Sequence, residues 1–501
     1  MLKTDALILL VNSLSKTEKK TFRKNRKNTD YIVLYDIIET GKNISSQELK
    51  TEFEKQRKNA NFNVAVSYLY KLLLNTLLAL RENHDNHYYL FLNILKVRIL
   101  FEKALYEEAF DMLEHIKEES VRFENQYALL YASRLELEYL LFINLPNISE
   151  TELLKKHFKV NEILKNIRKI NEQSSLYELL KHRIIYKGNI RSKEQKNELN
   201  DLVISEMSIM SMSSTDSFET KKLHQLFQSS YLIDVGDSKS AIHSYYGLIE
   251  LFENNKHLWA NPPYYYLFAL EGILDNLRSI KNYDKMPYFI EQLKNIGYYS
   301  AEFQTNVTAL VFLYELFPLL DRGEFAASAA LMKQYNVTVL DKMDDLSLTR
   351  QAEVSLYIAL IHIGLRDFKS AHKALINIII RGKSFYDFPL YRTIRLINLI
   401  IKYETGNDDI IIFESRSIKR ELLKAGKAYR VEHLILNFLN KPTKYMLPKN
   451  REKMWEKMEP EIMDIRSDIY ENQLLKYFDL TAWVESTIRK VPLQEVLAGQ
   501  S

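Results

Sequence analysis

Apolar positions recur at helical spacing from one end of this chain to the other. Ala6–Val11 reads as an N-terminal amphipathic helix that passes into a basic stretch. Tyr31–Ile38 predicts a buried helix closed by Gly41, and Val64, Val66, Leu69, Leu72, Leu73, Leu77 and Leu80 fall on or near one broad face of a longer one. Three start signals punctuate the pattern: Ser15-x-x-Glu18, Ser45-x-x-Glu48 and Ser149-x-x-Glu152. Each is a capping box, in which the serine accepts from an early helical N–H and the glutamate reaches back to the serine N–H. Pro262-Pro263 marks another start, because proline is tolerated in the first turn of a helix. Helices are expected at 31–39, 46–54 and 63–80.

A longer period overlies this one. Short groups combine a turn, often an aromatic residue, and a small residue three positions on. They are Tyr106-Glu107-Glu108-Ala109, Ser238-Lys239-Ser240-Ala241, Tyr283-Asp284-Lys285-Met286, Phe325-Ala326-Ala327-Ser328 and Phe368-Lys369-Ser370-Ala371, with a degenerate sixth at Asp408-Asp409-Ile410-Ile411. Their last residues are separated by 132, 45, 42, 43 and 40 positions. The first gap is three times 44, which leaves room for two diverged units near Ile148–Ile170 and Ser192–Ile209. Turn residues precede the later groups: Gly236-Asp237, Lys281-Asn282, Gly323-Glu324, Arg366-Asp367 and Gly406-Asn407.

These groups resemble the tetratricopeptide-repeat superfamily over roughly residues 83–440, with a period longer than the ~34 of a regular unit. The start, Leu14-Ser15-Lys16-Thr17-Glu18-Lys19-Lys20-Thr21-Phe22-Arg23-Lys24 followed by Tyr31–Asp36, is similar to the opening of a group of uncharacterised bacterial helical-repeat proteins. The resemblance implies an all-α fold: a right-handed superhelical stack of seven or eight helix pairs, an α-solenoid, with helical caps at both ends. It implies a scaffold or peptide receptor and no activity. The organisation expected is a basic helical domain over 1–82, a repeat array over 83–440 and capping helices over 441–501. The last of these would cover the final apolar face of the stack.

Composition sharpens this picture. The 501 residues hold 12 Gly and 10 Pro, roughly 2% each and well below the usual ~7% and ~5%, which disfavours turn-rich sheet folds. There is no Cys, so disulfides, thiolate nucleophiles, Cys-ligated zinc and iron–sulfur clusters are excluded. Residues 1–82 carry 15 Lys/Arg against 9 Asp/Glu, +6 within a chain of +4, so the positive charge lies at one end. The apolar run near the start is too short to span a bilayer, and no cleavage site follows it. We expect a cytoplasmic protein with no membrane partner.

Candidate chemistry is sparse. No phosphate-cradling glycine loop, His-Glu-x-x-His, Gly-x-Ser-x-Gly or kinase signature occurs, so no enzyme, cofactor or metal is expected. His84-Asp85-Asn86-His87 and Asp341-x-x-Asp344-Asp345 have metal-like spacing but read more simply as a solvated linker and a helix start. The basic run Lys16, Lys19, Lys20, Arg23, Lys24, Arg26 and Lys27 leaves Phe22 as an inward anchor. Lys19, Lys20, Arg23 and Lys24 are the candidate phosphate contacts of a nucleic-acid-associated regulator, the alternative function. The main expectation is a protein or peptide partner held on the first helices of the pairs. Tyr265, Asn276 and Arg278 lie on one such helix. Arg392, Arg395 and Asn398 share a side of another at i, i+3 and i+6, where arginine can receive a carboxylate.

Overall fold

A computed structural model describes residues 3–24, 29–41, 44–82, 85–187, 190, 193–211, 217–381, 389–425, 429–441 and 446–500. The protein is all-α, and no strand occurs among the described residues. It forms two compact units, one up to Arg168 and one from Lys169 onward.

The first unit contains α1 (Lys3–Ser13), α2 (Lys16–Arg23), α3 (Asp30–Thr40), α4 (Ser46–Gln56), α5 (Phe62–Arg81), α6 (Asn86–Glu102), α7 (Tyr106–Arg122) and α8 (Gln126–Phe142). Helix α9 (Glu150–Lys187) carries the boundary between the units. All three capping boxes form. At the first, the Ser15 N–H donates to the Glu18 carboxylate at 2.8 Å and the Glu18 N–H to the Ser15 hydroxyl at 3.2 Å. Helices α1–α5 enclose one core around Leu7, Val11, Phe22, Leu34, Tyr35 and Leu69. Phe22 is the inward anchor of the basic helix, its ring 4.8 Å from that of Tyr35. Helices α6–α8 enclose a second core around Leu90, Ile94, Ala109, Leu113 and Ala132. A buried Glu136 carboxylate is shared there by Lys117 (2.9 Å) and Lys156 (2.7 Å). Burial pushes its pKa up, but the two ammonium groups more than offset this and hold it below the ordinary range.

The second unit continues with α10 (Lys193–Asn197), α11 (Asn200–Ser211), α12 (Phe218–Asp234), α13 (Ser238–Asn254), α14 (Tyr264–Ser279), α15 (Met286–Lys294), α16 (Ala301–Asp321) and α17 (Phe325–Gln334). Then come α18 (Leu348–Gly364), α19 (Phe368–Ile380), α20 (Pro389–Glu404), α21 (Asp408–Ala425) and α22 (Arg430–Leu439). The last four are α23 (Pro448–Ser467), α24 (Ile469–Leu475), α25 (Leu480–Arg489) and α26 (Leu493–Ala498). From α12 to α22 each helix packs on the next, and α14, α16, α18, α20 and α22 also pack one on another. This nearest-neighbour pattern is compatible with a helical-repeat fold.

The six sequence groups all fall at the first turn of the second helix of a pair, where Tyr283–Lys285 forms a single 3₁₀ turn ahead of α15. The chain enters each through the same device. Two positions earlier sits a residue of positive φ: Ala104, Gly236, Lys281, Gly323, Arg366 or Gly406. The next N–H closes a six-residue turn on the preceding helix, as in Asp237 to the Leu232 carbonyl (2.9 Å), Asn282 to Leu277 (2.9 Å) and Glu324 to Leu319 (2.8 Å). The small residues then disappear into the crossing. Ala109, Ala241, Ser328 and Ala371 are fully buried and Met286 nearly so.

Two findings depart from expectation. The segment read as two diverged units is dominated by one continuous helix, α9, of 38 residues, followed by the short α10 and α11. The C-terminal helices do more than cover a last face. The Gln473 amide donates to the Asp234 carbonyl (3.0 Å), Lys476 pairs with Asp275 (2.8 Å), and the Trp483 indole N–H donates to Glu404 (3.0 Å). A Cβ on Gly236 would lie 2.5 Å from Ile469, and one on Gly323 2.9 Å from Gln494. The tail therefore lines the turns of several pairs. Among the described residues two helices, α5 and α16, have the length and apolar character of a membrane span. Most of the α16 span is buried inside the protein, and most of the α5 span is not.

Candidate partner-binding surfaces

The sequence-selected residues of α14 are mostly inside. The Asn276 amide donates to the Gly272 carbonyl one turn back (2.7 Å). Arg278 is buried and fully engaged. It holds Asp321 through Nε and Nη2, both at 2.9 Å, donates through Nη1 to the Tyr357 hydroxyl (3.0 Å), and lies 3.7 Å from the centre of the Phe317 ring. Burial opposes its charge, and Asp321 restores it, leaving the guanidinium firmly protonated. Tyr265 alone of this group is exposed, with the Lys222 ammonium 4.4 Å from its ring centre.

The α20 group is similarly committed. Arg392 pairs with Glu432 of α22, and Arg395 with Glu421 and Glu414 of α21. The Asn398 side chain meets His372 Nδ1 at 3.2 Å. Arg392 and Arg395 share a helix face in sequence, yet they reach acids on two different helices. The arginines chosen as receivers of a partner carboxylate already hold one from this chain.

For Arg278 and Arg392 the acid lies one repeat away in sequence, whereas those of Arg395 are 26 and 19 residues on. Arg278 and Asp321 are 43 residues apart, as are Tyr314 and its acceptor, the Glu271 carbonyl, while Arg392 and Glu432 are 40 apart. Successive first helices thus present matching positions to one another. The signal was in the chain as an acid one period after an arginine.

In the first unit, Lys19 pairs with Glu39 (3.6 Å), and Arg23 with Asp36 (2.5 Å) and Glu39 (2.6 Å). Lys20 and Lys24 are exposed and carry no ion pair among the described residues. Arg26, Lys27 and His84 lie outside the described residues. No group of His, Asp and Glu suited to a metal ion occurs among the described residues.

A surface that sequence reasoning passed over lies on α6 and α8. Phe91, Leu95 and Ile99 stand at i, i+4 and i+8 of α6, the last two 54% and 57% exposed. Tyr127 and Tyr131 stand at i and i+4 of α8, 57% and 43% exposed, on a ridge that continues through Arg134 and Glu138. The helices lie side by side in register, with the Asn125 amide 3.2 Å from His87 and Phe101 stacked on Tyr139 at 3.5 Å. Across 86–142 there are six Lys/Arg against ten Asp/Glu, but six of those acids lie on α7, and α6 and α8 themselves carry three Lys/Arg and three Glu. Apolar and polar residues are mixed around the whole circumference of α6, which conceals which side is left open. No family model, no curated protein and no solved structure matches this chain.

Proposed function

We propose that this protein is a non-enzymatic, cytoplasmic adaptor of the tetratricopeptide-like, superhelical kind. It binds a peptide segment of a partner protein on the open faces of first helices α6 and α8. The observation that carries this reading is the contrast between two sets of first helices. Those of the second unit spend their arginines on acids of the same chain, while α6 and α8 keep large apolar side chains in solvent. An exposed ridge rimmed by charge is the surface on which an amphipathic segment gains from burial. Each half-exposed side chain contributes about 1 kcal/mol when covered. The occupant that fits is an amphipathic segment whose apolar residues are spaced to meet the two ridges.

The test is selection of a random peptide library on the immobilised protein, with the enriched peptides then measured by titration. The expected peptides carry spaced aliphatic or aromatic residues, and Leu95→Glu with Tyr131→Glu weakens them tenfold or more. Enriched peptides that bind this double variant as tightly as the wild type would refute the assignment. The phosphate-contact alternative has less support, because Lys19 and Arg23 are engaged by Glu39 and Asp36.

A further inference from the structure

Within the second unit a cavity of about 250 Å³ is lined by side chains of α9, α12, α13, α14, α16, α18 and the residues just after α24. Its walls combine aromatic rings (Tyr245, Phe268, Phe317, Tyr357) with acids and bases. Nearly every charge there is matched. Lys476 holds Asp275 at 2.8 Å, Arg278 holds Asp321, and Arg350 holds Glu271 at 2.6 Å and also Glu353. Lys181 is the exception. Its Nζ lies 4.6 Å from the centre of the Phe268 ring and 5.5 Å from that of Tyr177, and no ion pair forms with it among the described residues. Asp234 and Glu271 act on it only from a distance, and burial pushes its amine down to about 8. A second wall group is also unsatisfied: the Tyr245 hydroxyl, fully buried, has no hydrogen-bond partner among the described residues.

A half-buried ammonium without a direct ion pair is costly, and a cavity that holds it beside aromatic faces suits a ligand that supplies one negative charge on an apolar body. We propose that this cavity binds a small monocarboxylic acid carrying one ring or a short apolar chain, with Lys181 as the counter-ion. The volume is below the ~300–1,000 Å³ of pockets that take drug-sized molecules, which sets the upper limit on that body. Arg350 serves both Glu271 and Glu353, so the four cations around the cavity already face four acids, which argues against a dianion and leaves Lys181 as the cation without a direct ion pair among the described residues. The site is separate from the peptide surface on α6 and α8, and it makes the protein a ligand-holding adaptor.

The test is titration calorimetry on the full chain with benzoate, phenylacetate and hexanoate, against benzamide, benzylamine and inorganic phosphate at matched ionic strength. At least one of the three carboxylates is expected to bind saturably at millimolar concentration or below, and the amide, amine and phosphate are not. Lys181→Met should lose binding about tenfold or more, Lys181→Arg should keep most of it, and Lys222→Met, which removes a ring-capped lysine outside this cavity, should leave it unchanged. Lys181→Met removes a half-buried charge, so its circular dichroism and melting temperature will show it folded. Absence of binding by every carboxylate, equal binding of benzamide, or undiminished binding by folded Lys181→Met would each overturn the proposal.

Discussion

Gly364 closes α18 against the aromatic ring that opens α17, and replacing it with alanine measures how tightly neighbouring pairs are pressed together. A Cβ there would lie 2.1 Å from Cγ and Cδ1 of Phe325. Carbon atoms rest at ~3.5–4.0 Å, so the overlap is about 1.4 Å or more. Phe325 is buried but lines a cavity of about 610 Å³, so its ring can relieve part of this overlap by turning. Overpacking of this kind costs ~1–3 kcal/mol. The helix-propensity gain of alanine over glycine is at most ~1 kcal/mol in a helix interior and smaller at the last residue of α18. We expect a net loss of about 1–2 kcal/mol, which lowers the melting temperature by roughly 2–4 °C. The protein contains its own reporter. All three tryptophans, Trp259, Trp455 and Trp483, lie in the second unit, so tryptophan fluorescence follows that unit alone. Gly297→Ala is the control, since a Cβ there meets nothing within 4 Å and should change stability by less than about 0.5 kcal/mol. Adding Phe325→Leu should recover part of the Gly364→Ala loss, a coupling of about 0.5–2 kcal/mol. Strict additivity of the two changes, or a Gly364→Ala protein as stable as the wild type, would refute the reasoning.

Other consequences follow from the paired charges. Asp321→Ala leaves Arg278 buried without its acid and should cost about 3–5 kcal/mol in urea unfolding, whereas Arg278→Met with Asp321→Leu should cost less than that single change; the reverse order would contradict the pairing. Lys181, with Phe268 and Tyr177 around its amine and Asp234 and Glu271 as its more distant acids, titrates at about 8 when folded and near its ordinary ~10.4 when unfolded. The unfolded chain binds more protons between those values, so Lys181 makes stability rise with pH across that window. Lys181→Met should therefore be more stable than wild type at pH 7 by about 2–3 kcal/mol, an advantage that closes toward pH 10; a constant difference would exclude this titration. Reversing Lys19, Lys20, Arg23 and Lys24 to Glu should leave binding of the selected peptides unchanged, and the wild-type protein should show no retention on mixed DNA at low salt. Retention that the reversal abolishes would favour the phosphate-contact reading instead.

Much of the helix segmentation was legible because it is written in local chemistry. A positive-φ turn, a helix start and a small residue three positions on are all properties of a few adjacent residues, and each of the six groups falls at a second-helix start. The capping boxes at Ser15, Ser45 and Ser149 were legible for the same reason. The stretch Glu150–Lys187 was not, because the expected break rested on arithmetic of spacing while no Gly or Pro interrupts it. The fates of Arg278 and Arg392 were hidden for another reason. An arginine on a helix face looks available until the acid 40 or 43 residues later is brought beside it, and only packing of successive first helices does that. The open ridge on α6 was hidden because apolar and polar residues are mixed around that helix, so pattern alone does not say which side a neighbour covers.

Hydrogen–deuterium exchange with and without a selected peptide tests the adaptor assignment most directly. The account predicts slowed exchange within Asn86–Glu102 and Gln126–Phe142, with α20 and α22 unchanged. Protection confined to Pro389–Glu404 and Arg430–Leu439, with α6 and α8 exchanging as before, would contradict it.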